Sequence, residues 1–187
     1  MTHGNADEFR PLMQDIRRDA PAREAVLARL ALGTGPDEMF DAFAKTFAEK
    51  AANLIKADHT SISLVNFVTD KQHFSGRYVS SAHPAAATIP RNMPDDYGYC
   101  PHVIHRGKAL ILDDVCDYPR FAGNVVVDAV GIRTYIGAPL IHAGTTFGTI
   151  CIIDQEPKPW GSPALEFIKN QASDLMQQIQ RRAGVLT

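Results

Sequence analysis

RTYIGAPLIHAGTTFGTICIID, residues 133–154, is the stretch whose reading decides the fold. Its two arms, 133–142 and 145–154, are rich in apolar and β-branched residues and meet across Ala143-Gly144, so the segment reads as a β-hairpin. The second arm is apolar on both sides, with Phe147, Cys151 and Ile153 on one face and Ile150 and Ile152 on the other. Such a strand belongs in the middle of a sandwich, covered above and below.

Working outward, HTSISLVNFV (59–68) and QHFSGRYVS (72–80), joined by Thr69-Asp70-Lys71, read as a second hairpin, and ALILDD (109–114) as a further strand. Hairpins imply an antiparallel sheet. Between these strands, residues 81–96 carry Pro84, Pro90 and Pro94 with no periodicity and read as a long loop, a kind of connection that is usually functional or mobile. YCPHVIHRGK (99–108) suits a short helix beginning near Pro101, while VVVDAV (125–130) is undecided between helix and strand.

Helices flank the sheet region. PAREAVLARLAL (21–32) places Val26, Leu27 and Leu30 at helical spacing, and Gly33 and Gly35 stop it. Pro36 suits the first position of the next helix, and Asp37 and Glu38 favour its positive end. Phe40, Phe43, Ala44, Phe47, Ala48, Ala51 and Leu54 then give the clearest amphipathic stripe in the chain, read as core packing. Ser162 is placed to cap a final helix with Pro163 in its first turn. Leu165, Ile168, Ala172, Leu175 and Ile179 form a short coiled-coil-like seam along it.

These elements predict one α/β domain of the α+β type over residues 21–183, preceded by a polar leader (1–20) that is helical or frayed. Terminal helices cover one face of the sheet, and loops with short helices enclose a pocket on the other. With 19 basic and 21 acidic side chains in 187 residues, there is no electrostatic footprint for nucleic acid. No apolar run approaches the roughly 20 residues needed to span a bilayer, and no secretory leader is expected. Cys100, Cys116 and Cys151 are too few and too scattered for a disulfide framework, so a reducing cytoplasm is the expected location.

The run YCPHVIHRGKALILDDVCDYPRFAGN (99–124), followed by GIRTYIGAPLI and GTICIID, resembles the GAF domains of bacterial sensor proteins. REAVLARLALGTGPDEMFDAF and SISLVNFVTDKQHF are similar to the opening of the same family, so the likeness spans roughly residues 22–182. It implies a sheet of about six antiparallel strands, a ligand pocket on one face and dimerising helices on the other. It also implies a small-molecule-binding sensory module. With no output domain seen in the sequence, the module is expected to act in trans on a signalling partner. Helices at 22–32 and 162–182 are the expected homodimer contact.

The residues that this reading assigns to the ligand are Tyr99, Cys100, His102, Phe121, Tyr135, Thr149 and Cys151, since aromatic rings wall small-ligand sites and hydroxyls orient the guest. Cys100-Pro101-His102 suggests metal, chromophore or redox chemistry, but one Cys-x-His cannot supply four zinc ligands, and pocket wall or helix packing is the plainer reading. His102 and His105 are the only close pair among the histidines His59, His73, His83, His102, His105 and His142. Asp113, Asp114, Asp117 and Arg120 read as turn caps and mutual partners. No metal, cofactor or catalytic residue is expected.

Two alternatives stay open. Some GAF proteins reduce free methionine sulfoxide through cysteines, and Cys100 lies where that group carries one. The resemblance then calls for a catalytic cysteine near position 124, which is Asn, and a partner near 90, which is Pro. Cys116 could substitute by proximity, while Cys151, central in its strand, is a poor redox partner. The other alternative is an interaction domain with a filled interior. The nucleotide-binding signature of some members is missing.

Overall fold

The computed structural model describes residues 4–60, 62–82 and 89–185, with side chains from Phe9 onward. Residues 83–88 of the expected loop, including His83 and Pro84, and Ser61 of the first hairpin lie outside the described residues. The elements run α1 (Gly4–Arg18), α2 (Ala20–Arg29), α3 (Glu38–Leu54), β1 (Ile62–Val68), β2 (Lys71–Val79) and β3 (Asn92–Pro94). They continue through α4 (Cys100–Arg106), β4 (Leu110–Leu112), α5 (Val125–Val130), β5 (Thr134–His142), β6 (Thr145–Asp154) and α6 (Ala164–Arg182). The strands form a six-stranded sheet in the order β3-β2-β1-β6-β5-β4. Every neighbouring pair is antiparallel.

The two hairpins therefore lie side by side, and β1 and β6 are the central strands. All seven residues of β1 are buried, as expected for a strand covered on both faces. At the β5–β6 turn, Ala143 (φ 49°) and Gly144 (φ 80°) both adopt the positive φ that two-residue hairpin loops demand.

One face of the sheet, carrying Val65, Phe67, Ile136, Leu140, Ile150 and Ile152, packs under α2, α3 and α6. The close approach of α3 depends on Gly76 in β2, where a Cβ would stand 2.5 Å from the Phe40 carbonyl oxygen. Phe147 joins this layer, contrary to its expected place beside Cys151 and Ile153. The cause is a bulge. Leu140 pairs with Gly148 and Ile141 with Thr146, which leaves Phe147 as the extra residue and reverses its face.

The opposite face is covered by short pieces: α4, a 3-10 turn over Val115–Asp117, and α5. The undecided VVVDAV segment is the helix α5, capped by the Asn124 side chain, which accepts from Val126 N. α1 is helical, and its Leu12, Met13 and Ile16 pack on Val68 and on Ile104 of α4.

Several local expectations change. β3 forms inside the stretch read as loop, because Lys71, Gln72 and His73 of β2 offer it a free edge. Asp37 and not Pro36 starts α3, its carboxylate accepting from Met39 N at 3.0 Å. Ser162 does not cap α6, which starts from Pro163 without a side-chain cap. Ile168, Ala172, Leu175 and Ile179 are buried against the chain's own sheet, so most of the coiled-coil-like seam is used within the molecule; Leu165 alone stays 49% exposed.

Candidate functional site

A cavity of about 30 Å³ lies between the sheet and its cover of α4 and α5. Leu64, Phe74, Tyr135 and Cys151 form the sheet wall, and Tyr99, Cys100, Val126, Val130 and Ile132 form the opposite wall, with Ile89 and Met93 at the β3 end. A cavity of that size holds a few water molecules at most. Among the described residues no Asp, Glu, Lys, Arg or His side chain lines it.

Local sequence explains the arrangement. Pro101 starts the short helix α4 and Gly107, at φ 58°, ends it, so Cys100 sits in the first turn directly above β6. From below, Tyr135 lies flat along its own strand: a Cβ on Gly137 would stand 2.3 Å from the Tyr135 hydroxyl, so only glycine leaves the ring that path. The Tyr135 hydroxyl reaches the Cys100 sulfur at 3.4 Å. Thr149 donates to the same sulfur at 3.2 Å, and the Cys151 sulfur lies 3.8 Å from it.

These polar contacts sort the two thiols. Donation from Cys151, then from Thr149, Tyr135 and Asn66, favours the Cys100 thiolate against the cost of its burial. Cys151 is pushed the other way, by its donation to Cys100 and by burial. When one proton leaves the pair, Cys100 carries the charge. Burial pushes the Tyr99 and Tyr135 phenols upward, so both stay protonated donors near neutral pH.

The remaining polar groups at the walls are engaged by the protein. Tyr99 donates to the Phe121 carbonyl at 3.2 Å. Gln72 donates to the carbonyls of Pro94 and Tyr97, both at 2.8 Å, and accepts from Asn66 at 2.9 Å. Asn124 accepts from Gly98 N at 3.0 Å and donates to Gly98 O at 2.8 Å, clipping α5 to the segment that enters α4.

Of the residues anticipated from sequence, Tyr99, Cys100, Tyr135 and Cys151 converge on the cavity. Thr149 stands behind Cys100 and orients it. His102 and Phe121 do not line the space. His102 points toward α1 between Phe9 and Phe121, with ring centroids 5.7 and 5.0 Å away, and Phe121 braces Tyr99 edge-on at 5.7 Å. Burial pushes the His102 imidazole down to about 4, aided by the Arg120 charge.

Two carboxylates of the acidic cluster make contacts that hold local structure. Asp114 caps the 3-10 turn through Cys116 N at 3.0 Å and pairs with Arg133. Asp113 accepts from Trp160 N at 3.3 Å. Among the described residues no group of three or more His, Cys, Asp or Glu side chains is placed to hold a metal ion, and no helix is long and apolar enough to cross a membrane.

Sequence reasoning missed Leu64, Phe74, Val126, Val130 and Ile132 as walls. Their only signal is strand or helix periodicity, which any core residue shares. It also missed Cys151 as a partner of Cys100. The two are 51 positions apart, and only the packing of α4 on β6 joins them.

The profile of the GAF domain family matches residues 40–179, a span running from α3 to α6. The chain belongs to the GAF domain family. Solved structures with this GAF fold include the free methionine-R-sulfoxide reductase of Neisseria meningitidis in complex with its substrate, at 16% identity and TM-score 0.56, covering 91% of this chain and 92% of that one. The GAF domain of the Acinetobacter phosphoenolpyruvate-protein phosphotransferase matches at 13% identity and TM-score 0.55, covering 99% and 98%. The blue-light-absorbing form of the PixJ GAF domain of Thermosynechococcus elongatus matches at 16% identity and TM-score 0.56, covering 75% and 84%. No curated protein matches in sequence. At these identities the likeness is one of fold, and the fold is that of a sensory or ligand-binding module in general.

Proposed function

We propose that this GAF domain is a non-catalytic sensory or regulatory module whose cavity takes a small, uncharged and largely apolar molecule, and that it acts in trans on a signalling partner in the cytoplasm. The observation that carries the reading is the wall chemistry. Among the described residues no Asp, Glu, Lys, Arg or His side chain lines the cavity, and its Tyr99 and Gln72 are already engaged by backbone carbonyls. A charged guest would lose its hydration without a partner in return. At about 30 Å³ the space admits a guest only if the cover shifts, and the cover is made of short elements tied in part by side-chain clips.

Native mass spectrometry of the freshly purified chain reads both a retained small molecule and the subunit number; a homodimer belongs to this proposal. Because most of the α6 seam is buried within the chain, such a dimer would use other groups, of which Leu165 and Ile141 are the exposed large apolar ones on that side. Titration with small neutral compounds should raise the melting temperature by about 5–10 °C at a hundredfold excess over Kd. Val130→Phe, which fills the cavity from α5, should abolish that rise. If no neutral compound stabilises the wild type while charged metabolites do, the proposal fails.

A second reading, a thiol-dependent reductase of free methionine sulfoxide, draws support from the fold likeness and from the Cys100–Cys151 proximity. Against it, position 124 is an asparagine occupied in clipping α5, and among the described residues no Asp, Glu, Lys or Arg lines the cavity to pair with an amino-acid zwitterion. Thioredoxin-coupled turnover of free methionine sulfoxide, lost in Cys100→Ser, would make the chain an enzyme.

A further inference from the structure

Cys100 and Cys151 come from different elements, yet their sulfurs stand 3.8 Å apart, and both line the same small cavity. A disulfide needs a sulfur separation of about 2.05 Å. The cavity's volume, about 30 Å³, admits a molecule close to water in size. Hydrogen peroxide is such a molecule. Tyr135 and Thr149 hold the Cys100 sulfur in place from the sheet side.

We infer that Cys100 and Cys151 form a reaction site for hydrogen peroxide, which converts the pair into a disulfide joining α4 to β6. The Cys100 thiolate attacks one peroxide oxygen: an S–O bond forms, the O–O bond breaks, and the departing hydroxide takes up a proton to leave as water. Cys151 then gives up its proton and attacks the Cys100 sulfenic sulfur. The S–S bond forms, the S–O bond breaks, and the second oxygen leaves as water. Two thiols and one peroxide become one disulfide and two waters, with both peroxide oxygens reduced and both sulfurs oxidised. Because Cys100 follows Gly98 and Tyr99, which hold Asn124 and Phe121, the cross-link also alters the seat of the cavity's cover.

The inference rests on the thiol geometry and does not need the cavity to hold a ligand. Its test is a peptide map of the whole reduced protein after treatment with one equivalent of hydrogen peroxide, quenched by alkylation. The expected result is a Cys100–Cys151 linked peptide, an intact mass lower by two hydrogens, and recovery with dithiothreitol. The map uses the wild-type chain, so it does not depend on a variant that folds. In a Cys116→Ser background, which removes the exposed thiol, the linkage should persist unchanged. Cys151→Ser should halt at a Cys100 sulfenic acid, trapped by dimedone added together with denaturant after the peroxide has been removed. Both cysteines staying free in the native protein while reacting after unfolding would overturn the inference, as would a map in which Cys116 supplies the only bridge.

Discussion

His102 shows how a single side chain reports on packing. It is 5% exposed, wedged between Phe9 and Phe121, and burial holds its imidazole near 4 against an ordinary value of 6.5. The unfolded chain therefore binds a proton between those values that the native chain does not, and stability falls as pH drops from about 6.5 toward 4. The full loss is on the order of 3 kcal/mol. Urea unfolding at a series of pH values should show this decline in the wild type and a flatter profile in His102→Phe. An equal slope in both proteins would mean that another group titrates.

Among elements, the contact of α3 with β2 is the one that a single methyl group tests. Gly76 faces the α3 backbone, and a Cβ there would meet the Phe40 carbonyl oxygen at 2.5 Å. Neither partner is a side chain that can rotate away. Gly76→Ala should therefore lift α3 from the strand and cost about 1–3 kcal/mol, read as a lower urea midpoint. The same helix holds the β3 edge: Asp41 accepts from Arg77 N at 2.7 Å and from both Arg91 guanidinium nitrogens at 3.0 and 2.9 Å. Solvent reaches this pair, so its contribution is small beside the steric one. A Gly76→Ala chain with an unchanged midpoint would show that helix and strand are less closely apposed.

At the scale of the molecule, the two sides of the sheet differ in construction. The helix side is a continuous apolar layer under α3 and α6, 17 and 19 residues long. The cavity side is assembled from α4 and α5, seven and six residues long, joined by side-chain hydrogen bonds to backbone. Short elements open before long helices and central strands, so ligand-dependent motion belongs on this side. α1 reaches across to it. Arg23, 2% exposed, donates to Val68 O at 2.7 Å, to Thr69 O at 3.4 Å and to Ile16 O near the end of α1, so one guanidinium links α1, α2 and the β1–β2 turn. Arg23→Met leaves those carbonyls buried without a donor and should lower unfolding free energy by about 2–4 kcal/mol in denaturant titrations. Amide exchange should quicken in α1 and α4 before β1 and β6; uniform exchange across the sheet and its cover would contradict this division.

By local pattern the sequence determined five of the six strands, the hairpins, the amphipathic helices and so the two-faced sheet, because each rests on a period of two or 3.6 residues that neighbours in the chain impose on one another. Four of the residues it named, Tyr99, Cys100, Tyr135 and Cys151, meet at the cavity. Only the tertiary structure decided which thiol faces which, that Phe147 turns to the helix layer, that the α6 seam is spent on the chain's own core, and that β3 adds to an edge inside a proline-rich stretch. Each of those outcomes depends on contacts between residues distant in sequence or on a bulge one residue long, and local periodicity carries no record of either.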